Sequence, residues 1–149
     1  MTWIDTLMYL LDTNICIAII QGNTSAVAQF QQKYQECYLS TLVLGELYKG
    51  VYCSSRVEQN LLVLNQFANQ LPKVNFDENA ARDFGKIQGE LRQIGRPTGQ
   101  LDALIAAVAR SRNDTLVTNN TRHFINITNL QLENWLEPWN LVSLNLPIY

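Results

Sequence analysis

The sequence predicts one α/β domain built on a parallel sheet, and three observations carry that prediction. The chain has 149 residues, the size of a single domain. Its composition is 47% hydrophobic and 16% charged, which suits a globular core and argues against disorder. Short apolar runs alternate with stretches of helical period, and strands separated by helices imply βαβ crossovers. A chain of this length buries roughly 68–70% of its unfolded surface and needs no staples to fold.

The stretch that organises the rest is Met8 to Ile20. Tyr9-Leu10-Leu11 reads as a buried strand, Asp12 as a turn, and Asn14 to about Gln21 as a short helix. Asp12 then stands at the carboxyl end of a strand, where open α/β sheets place their ligand crevices. Gly22-Asn23-Thr24 breaks the helix. Thr24 or Ser25 caps the next one, Ser25 to Glu36, with Val27, Phe30 and Tyr34 on one face. A strand at Cys37 to Thr41 leads into a helix from Leu42 to Cys53, whose inner face carries Val43, Leu44, Leu47, Tyr48 and Val51. Arg56 to Gln70 is a further helix with Val57, Leu61, Leu64 and Phe67 inward. Pro72 to Phe76 reads as a strand, and Glu78 to Ile94 as a helix with Ala80, Phe84, Ile87, Leu91 and Ile94 in register. Gly95 to Gly99, with Pro97, is a loop. Gln100 to Arg112 is a helix with Leu101, Leu104, Ile105 and Val108 facing in. Asp114 to Thr118 and Leu130 to Trp135 complete the strands. Residues 1–149 read as one domain, with 1–7 (MTWIDTL) as an appendage and Met8 suited to be a start residue.

Charge and cysteine usage exclude several classes. The net charge of −2 provides no overall basic field, so contact with nucleic acid needs a local basic patch or a bound metal. Three cysteines without CxxC or Cys/His spacing disfavour a disulfide framework and a zinc site, and fit a reducing cytoplasm. The N-terminal stretch lacks a basic region and is interrupted by Asp12, which argues against a signal peptide and a membrane span.

Three acids stand out. Asp12 follows a buried strand, Glu46 interrupts the helix LVLGELYKGV, and Asp102 opens the apolar helix LDALIAAVA. Carboxylates from separate segments converging on one crevice suit a hard cation such as Mg²⁺ or Mn²⁺, which takes oxygen ligands and keeps several waters. Each acid also has a structural explanation. Asp12 can cap the following helix. Asp102 suits the macrodipole at a helix start. Glu46 lies at the flank of its apolar face and can be a solvated partner of Lys49 at i+3. Gly45 and Gly50 bracket Glu46 and suggest close backbone approach. His123 is the only histidine and reads as a surface or capping residue. There is no G-x-S-x-G nucleophile elbow, and the Gly95–Gly99 loop lacks a phosphate-cradle spacing. Trp135 and Trp139 read as core or interface anchors, and Tyr48, Tyr52 and Phe67 as core or interface aromatics.

Four stretches together resemble PIN-domain proteins, and more closely the VapC toxins of bacterial toxin–antitoxin pairs. They are LLDTNICI, STLVLGELYKGV, GRPTGQLDALIAAVA, and LVTNNTRHF with LQLENW, in family order from Met8 to about Trp135. The resemblance implies a three-layer α/β/α fold, a sheet of about four or five parallel strands with helices on both faces. It implies a metal-dependent endoribonuclease that leaves a 3′-hydroxyl and a 5′-phosphate, with Mg²⁺ or Mn²⁺ as cofactor and Asp12, Glu46 and Asp102 as the acidic cluster. Thr13, Asn14, Ser40 and Thr118 match small polar positions lining the family's pocket. At the fourth family position this chain offers Asn119 and Asn120, with His123 where Asp or Glu is common. Asn120 is carried as the fourth metal-site residue, and the missing carboxylate leaves open whether one metal or two is bound. The implied partners are an RNA substrate, a cognate antitoxin covering the acidic pocket, and a second copy of the chain in a homodimer. Substrate grip falls to basic residues near these segments: Arg96 and Lys49 first, then Arg110, Arg112 and Arg122. The altered fourth position keeps a second reading alive, a catalytically weak or inactive binding protein of the same fold. A third, a small-molecule metal phosphoesterase, lacks any matching nucleophile loop.

Overall fold

The computed structural model describes residues 7–136. Most of the 1–7 appendage and Trp139 lie outside the described residues. Five strands form one sheet: β1 Tyr9–Leu11, β2 Cys37–Ser40, β3 Lys73–Val74, β4 Thr115–Val117 and β5 Gln131–Glu133. Their order is β3-β2-β1-β4-β5, and every neighbouring pair is parallel. β1 is central, with Leu10 beside Tyr38 on one flank and Leu116 on the other. β1, β2 and β4 are buried along their whole length, as expected of strands covered on both faces.

Seven helices are described: α1 Thr13–Ile20, α2 Thr24–Gln32, α3 Thr41–Tyr52, α4 Val57–Ala68, α5 Glu78–Gln93, α6 Gln100–Ser111 and α7 Thr121–Phe124. α1 to α4 pack among themselves, α5 packs along α6, and the sheet lies between the layers in the expected α/β/α arrangement. α6 is the most deeply embedded helix, with Ala103 and every residue from Ile105 to Ala109 buried. Its alanines let it lie close to its neighbours, since a methyl side chain keeps backbones near each other.

The differences from the sequence reading lie at element ends. Asn23, not Thr24 or Ser25, caps α2, because Gly22 adopts φ +81 and turns the chain one residue earlier; Asn23 Oδ1 then accepts from Ala26 N at 3.0 Å. α2 stops at Gln32, and Tyr34–Glu36 tightens into a 3₁₀ turn before β2. Tyr34 is consequently exposed, its hydroxyl donating to Gln70 O at 3.2 Å. The strand expected over Pro72 to Phe76 keeps only two ladder residues. Ile94 and Leu101, read as inward, are exposed, since they sit at helix ends beyond the packed α5–α6 contact. α7 is a single short turn with too few residues to show a period. Gly45 makes no close approach: a Cβ built there meets nothing within 4 Å. Phe67 and Trp135 are core, whereas Tyr52 is exposed and stacks on Tyr48 at 6.4 Å between centroids.

Candidate active site

The sheet changes direction between β1 and β4. From β1 the chain builds outward to β2 and β3, then returns to the other side for β4 and β5. Such a switch point leaves a crevice beyond the carboxyl ends of the two adjacent strands. Asp12 stands there. Its backbone N–H donates to Val117 O at 2.9 Å, extending the β1–β4 ladder, and its carbonyl receives Ile15 N and Cys16 N, each at 3.1 Å, to start α1.

The Asp12 side chain is only 5% exposed. Oδ1 accepts from Thr13 N at 2.8 Å, and Oδ2 accepts from the Thr118 hydroxyl at 2.8 Å. That hydroxyl also accepts from Asn120 N at 3.1 Å, and Asn14 Oδ1 accepts from Asn119 N at 3.0 Å. The two segments TN, after β1, and TNN, after β4, are thereby laced together around one carboxylate. Burial above all pushes the Asp12 carboxyl up to about 6; the Thr118 and Thr13 hydrogen bonds oppose the shift, and the charges of Glu46 and Asp102 add to it.

The other two acids stand on different helices, and the charge of each acts on Asp12. Glu46, half-buried on α3, accepts a 2.6 Å hydrogen bond at Oε1 from the Thr13 hydroxyl. Among the described residues it forms no ion pair with Lys49, so the solvated i+3 pair is not what holds it. Asp102, in the first turn of α6, lies 3.1 Å through Oδ2 from His123 Nδ1. The histidine is exposed, as expected of a surface residue, and pairs with the third acid rather than capping a helix. No sequence signal marked that pairing, because the short α7 carrying it was invisible.

The smaller expected positions divide. Thr13, Asn14 and Thr118 take part in the network directly. Ser40 is fully buried and spends its oxygen on capping α3, accepting from Val43 N at 3.1 Å. Asn120 contributes its backbone N–H, while its exposed side chain makes no hydrogen bond among the described residues. Two of the expected substrate-binding arginines are committed elsewhere. Arg110 is tied to Asp83 and Glu90 and to Thr128 O, and Arg112 to Asp114, so neither is available to a ligand. Arg96 and Arg122 line a cleft beside Asp102, and Lys49 is exposed on the last turn of α3.

The donor set can be tested against a metal ion. Among the described residues, no three side chains of His, Cys, Asp or Glu close around one point tightly enough to cage an ion. Mg²⁺ does not require a cage; it is bound by one or two carboxylates and keeps waters on its other positions. A buried carboxylate with two further acids in electrostatic range and no basic partner is poorly balanced as it stands, and its all-oxygen surroundings fit a hard, hydrated divalent ion.

A PIN domain family model matches residues 9–130. The chain is 38% identical to a tRNA(fMet)-specific endonuclease VapC of Shigella flexneri over 130 residues, covering 87% of this chain and 98% of the relative. It is also 38% identical to the ribonuclease VapC2 of Rickettsia felis over 132 residues, 87% of this chain and 98% of that one. Among solved structures, VapBC2 of Rickettsia felis bound to a promoter DNA fragment superposes with a TM-score of 0.82 at 37% identity, covering 87% of this chain and 99% of that chain. DNA-bound VapBC of Salmonella typhimurium gives 0.83 at 35% identity with the same coverage.

Proposed function

Because the chain belongs to the PIN-domain family, among relatives of the VapC type, we propose that it is a divalent-metal-dependent endoribonuclease and the toxin of a toxin–antitoxin pair. The observation that carries this is Asp12: a carboxylate buried at the sheet's switch point, with Glu46 and Asp102 adding negative potential. Asp12 and Asp102 would hold the ion, with Glu46 as a further ligand or as the base for the attacking water. A bound Mg²⁺ or Mn²⁺ supplies Lewis acidity at the phosphoryl oxygen and eases deprotonation of water. The chain's own part is orientation. Thr118 and Thr13 N fix both oxygens of Asp12, and the Thr13 hydroxyl fixes Oε1 of Glu46, leaving Oε2 to accept a proton. Such preorganisation avoids rearrangement as charge develops.

Two relatives are named for tRNA(fMet), so tRNA is the first RNA to try. The solved relatives are VapBC assemblies, and we infer a cognate antitoxin here too, together with a homodimer and a cytoplasmic location. No described helix is long and apolar enough to cross a membrane. Purified protein with Mn²⁺ and total RNA, compared with Asp12→Asn, tests the activity: cleavage lost on substitution supports it, and equal products from both proteins refute it. The lack of a three-acid cage among the described residues favours one alternative, a binding protein of this fold with a weak metal site. That alternative expects antitoxin binding without Asp12-dependent cleavage.

A further inference from the structure

The cleft beside Asp102 has a volume of about 330 Å³, and Leu91, Arg96, Thr98, Asp102, Arg122 and His123 are on its walls. It is a preformed feature. α5 ends in a Schellman motif: Gly95 takes φ +66, its N–H donates to Arg92 O at 3.2 Å, and Arg96 N donates to Leu91 O at 3.0 Å. The motif fixes the backbone from which Arg96 projects. The Thr98 hydroxyl then donates to His123 O at 2.8 Å, tying the loop to α7, where Arg122 lies. Among the described residues, neither Arg96 nor Arg122 has an ion-pair partner, whereas Arg82, Arg110 and Arg112 are all paired with acids. Two unpaired guanidiniums and one carboxylate, Asp102, line the recess, which leaves it locally positive in a chain of net charge −2.

Resting on the ribonuclease reading, we propose that this cleft is a subsite for the phosphodiester next to the one cut, in a single-stranded stretch of RNA. Arg96 and Arg122 donate to its non-bridging oxygens, since a guanidinium fork matches phosphate geometry. Pro97 gives ribose or base an apolar edge. A recess of this volume is of the size of a single nucleotide unit rather than of a helix, so the proposal commits to an extended strand. Asp102 lines the cleft and its charge acts on Asp12, so a phosphate held there would lie beside the proposed metal site.

The test uses Asp12→Asn protein in EDTA and a fluorescent 2′-O-methyl oligonucleotide, which is not cleaved. Arg96→Gln and Arg122→Gln in that background are each expected to weaken binding about tenfold at low salt. Each should lower the slope of log affinity against log salt by about 0.7, and the double variant by about twice that. Arg96→Lys should restore the slope, and Arg82→Gln, remote and already paired, should change nothing. Unmoved slopes in both variants overturn the subsite, as does equal binding of a duplex or displacement by polyglutamate with the same arginine dependence. If the parent protein cleaves RNA in an Asp12-dependent way while the slopes stay fixed, only the subsite falls. If no Asp12-dependent cleavage exists, the nuclease reading falls and takes the subsite with it.

Discussion

Replacing Asp12 by Asn should make the metal-free protein more stable while removing its activity. Burial and two neighbouring acids raise the folded-state value of this carboxyl to about 6, from an ordinary 3.8. A raised acid costs stability at high pH. Below 3.8 both folded and unfolded chains hold the proton and nothing is lost. Between 3.8 and about 6 the unfolded chain ionises first, so stability falls as pH rises, and above about 6 the full deficit remains. At about 1.4 kcal/mol per pH unit the deficit is about 3 kcal/mol. Asn keeps the cap, because its Oδ1 can still accept from Thr13 N, and Asn caps as well as Asp. The Thr118 hydroxyl loses its acceptor, which offsets about 1 kcal/mol. The net gain is about 2 kcal/mol, or roughly 6 °C in Tm for a chain this size. Urea denaturation in EDTA at several pH values measures it. The variant should lead at pH 7.5 and lose that lead by pH 4. A variant no more stable than the parent at pH 7.5, with a gap independent of pH, would refute the claim that this carboxylate is under electrostatic load.

Four further outcomes follow from the same geometry. Mn²⁺ or Mg²⁺ should raise the Tm of the parent at pH 7.5 and leave that of Asp12→Asn nearly unmoved, as differential scanning fluorimetry would record. Thr118→Val keeps shape but strips Asp12 Oδ2 and Asn120 N of their shared partner, so it should cost about 2 kcal/mol in urea melts. Because that hydroxyl lowers the Asp12 value, its loss should be felt more above pH 6 than at pH 4. Arg110→Ala leaves the largely buried Asp83 carboxylate without its bidentate partner and should destabilise by about 3 kcal/mol without altering RNA binding. Gly45→Ala should stabilise α3 by about 0.5–1 kcal/mol in thermal melts, since its Cβ enters open space.

The parts of the fold that could be read in advance are those where one physical signal acts alone. Tyr9-Leu10-Leu11 followed by a polar triplet has no stable alternative to a buried strand with a turn, and it became the centre of the sheet. The period of Ala80, Ile87 and Leu91 fixes a face whatever its neighbours do. Element ends depend on competition between local groups and were harder to read. Asn23, Thr24 and Ser25 are all good caps, and the positive φ of Gly22 decided among them. In the site, Asp12 was legible from its place at a strand end, whereas Thr13 and Thr118 came only through the family resemblance. Pairings across long separations were not legible: Thr13 with Glu46 spans 33 residues and His123 with Asp102 spans 21. Arg110 and Arg112 show the same limit, since being near a motif in sequence says nothing about the acids waiting on α5 or at the start of β4.

Asp12 does cap a helix, so capping and ligand binding have to be separated by energetics rather than by geometry. Asp77 offers the comparison within the same molecule. It caps α5 by accepting from Ala80 N at 2.9 Å, with its side chain open to water, which is all that a cap requires. Asp12 performs the same local task at 5% exposure, under the charge of two other acids and with no ion-pair partner among the described residues. Capping alone would have been met better by Asn or Ser, which satisfy the same N–H without carrying a charge into the interior. Ser40 does that for α3 at the neighbouring strand end, fully buried and neutral. A chain that uses a neutral cap after β2 and an ionisable one after β1, at similar depth, is retaining charge where it costs stability. That retained charge is what the proposed divalent ion would offset, with Asp12 as its first ligand.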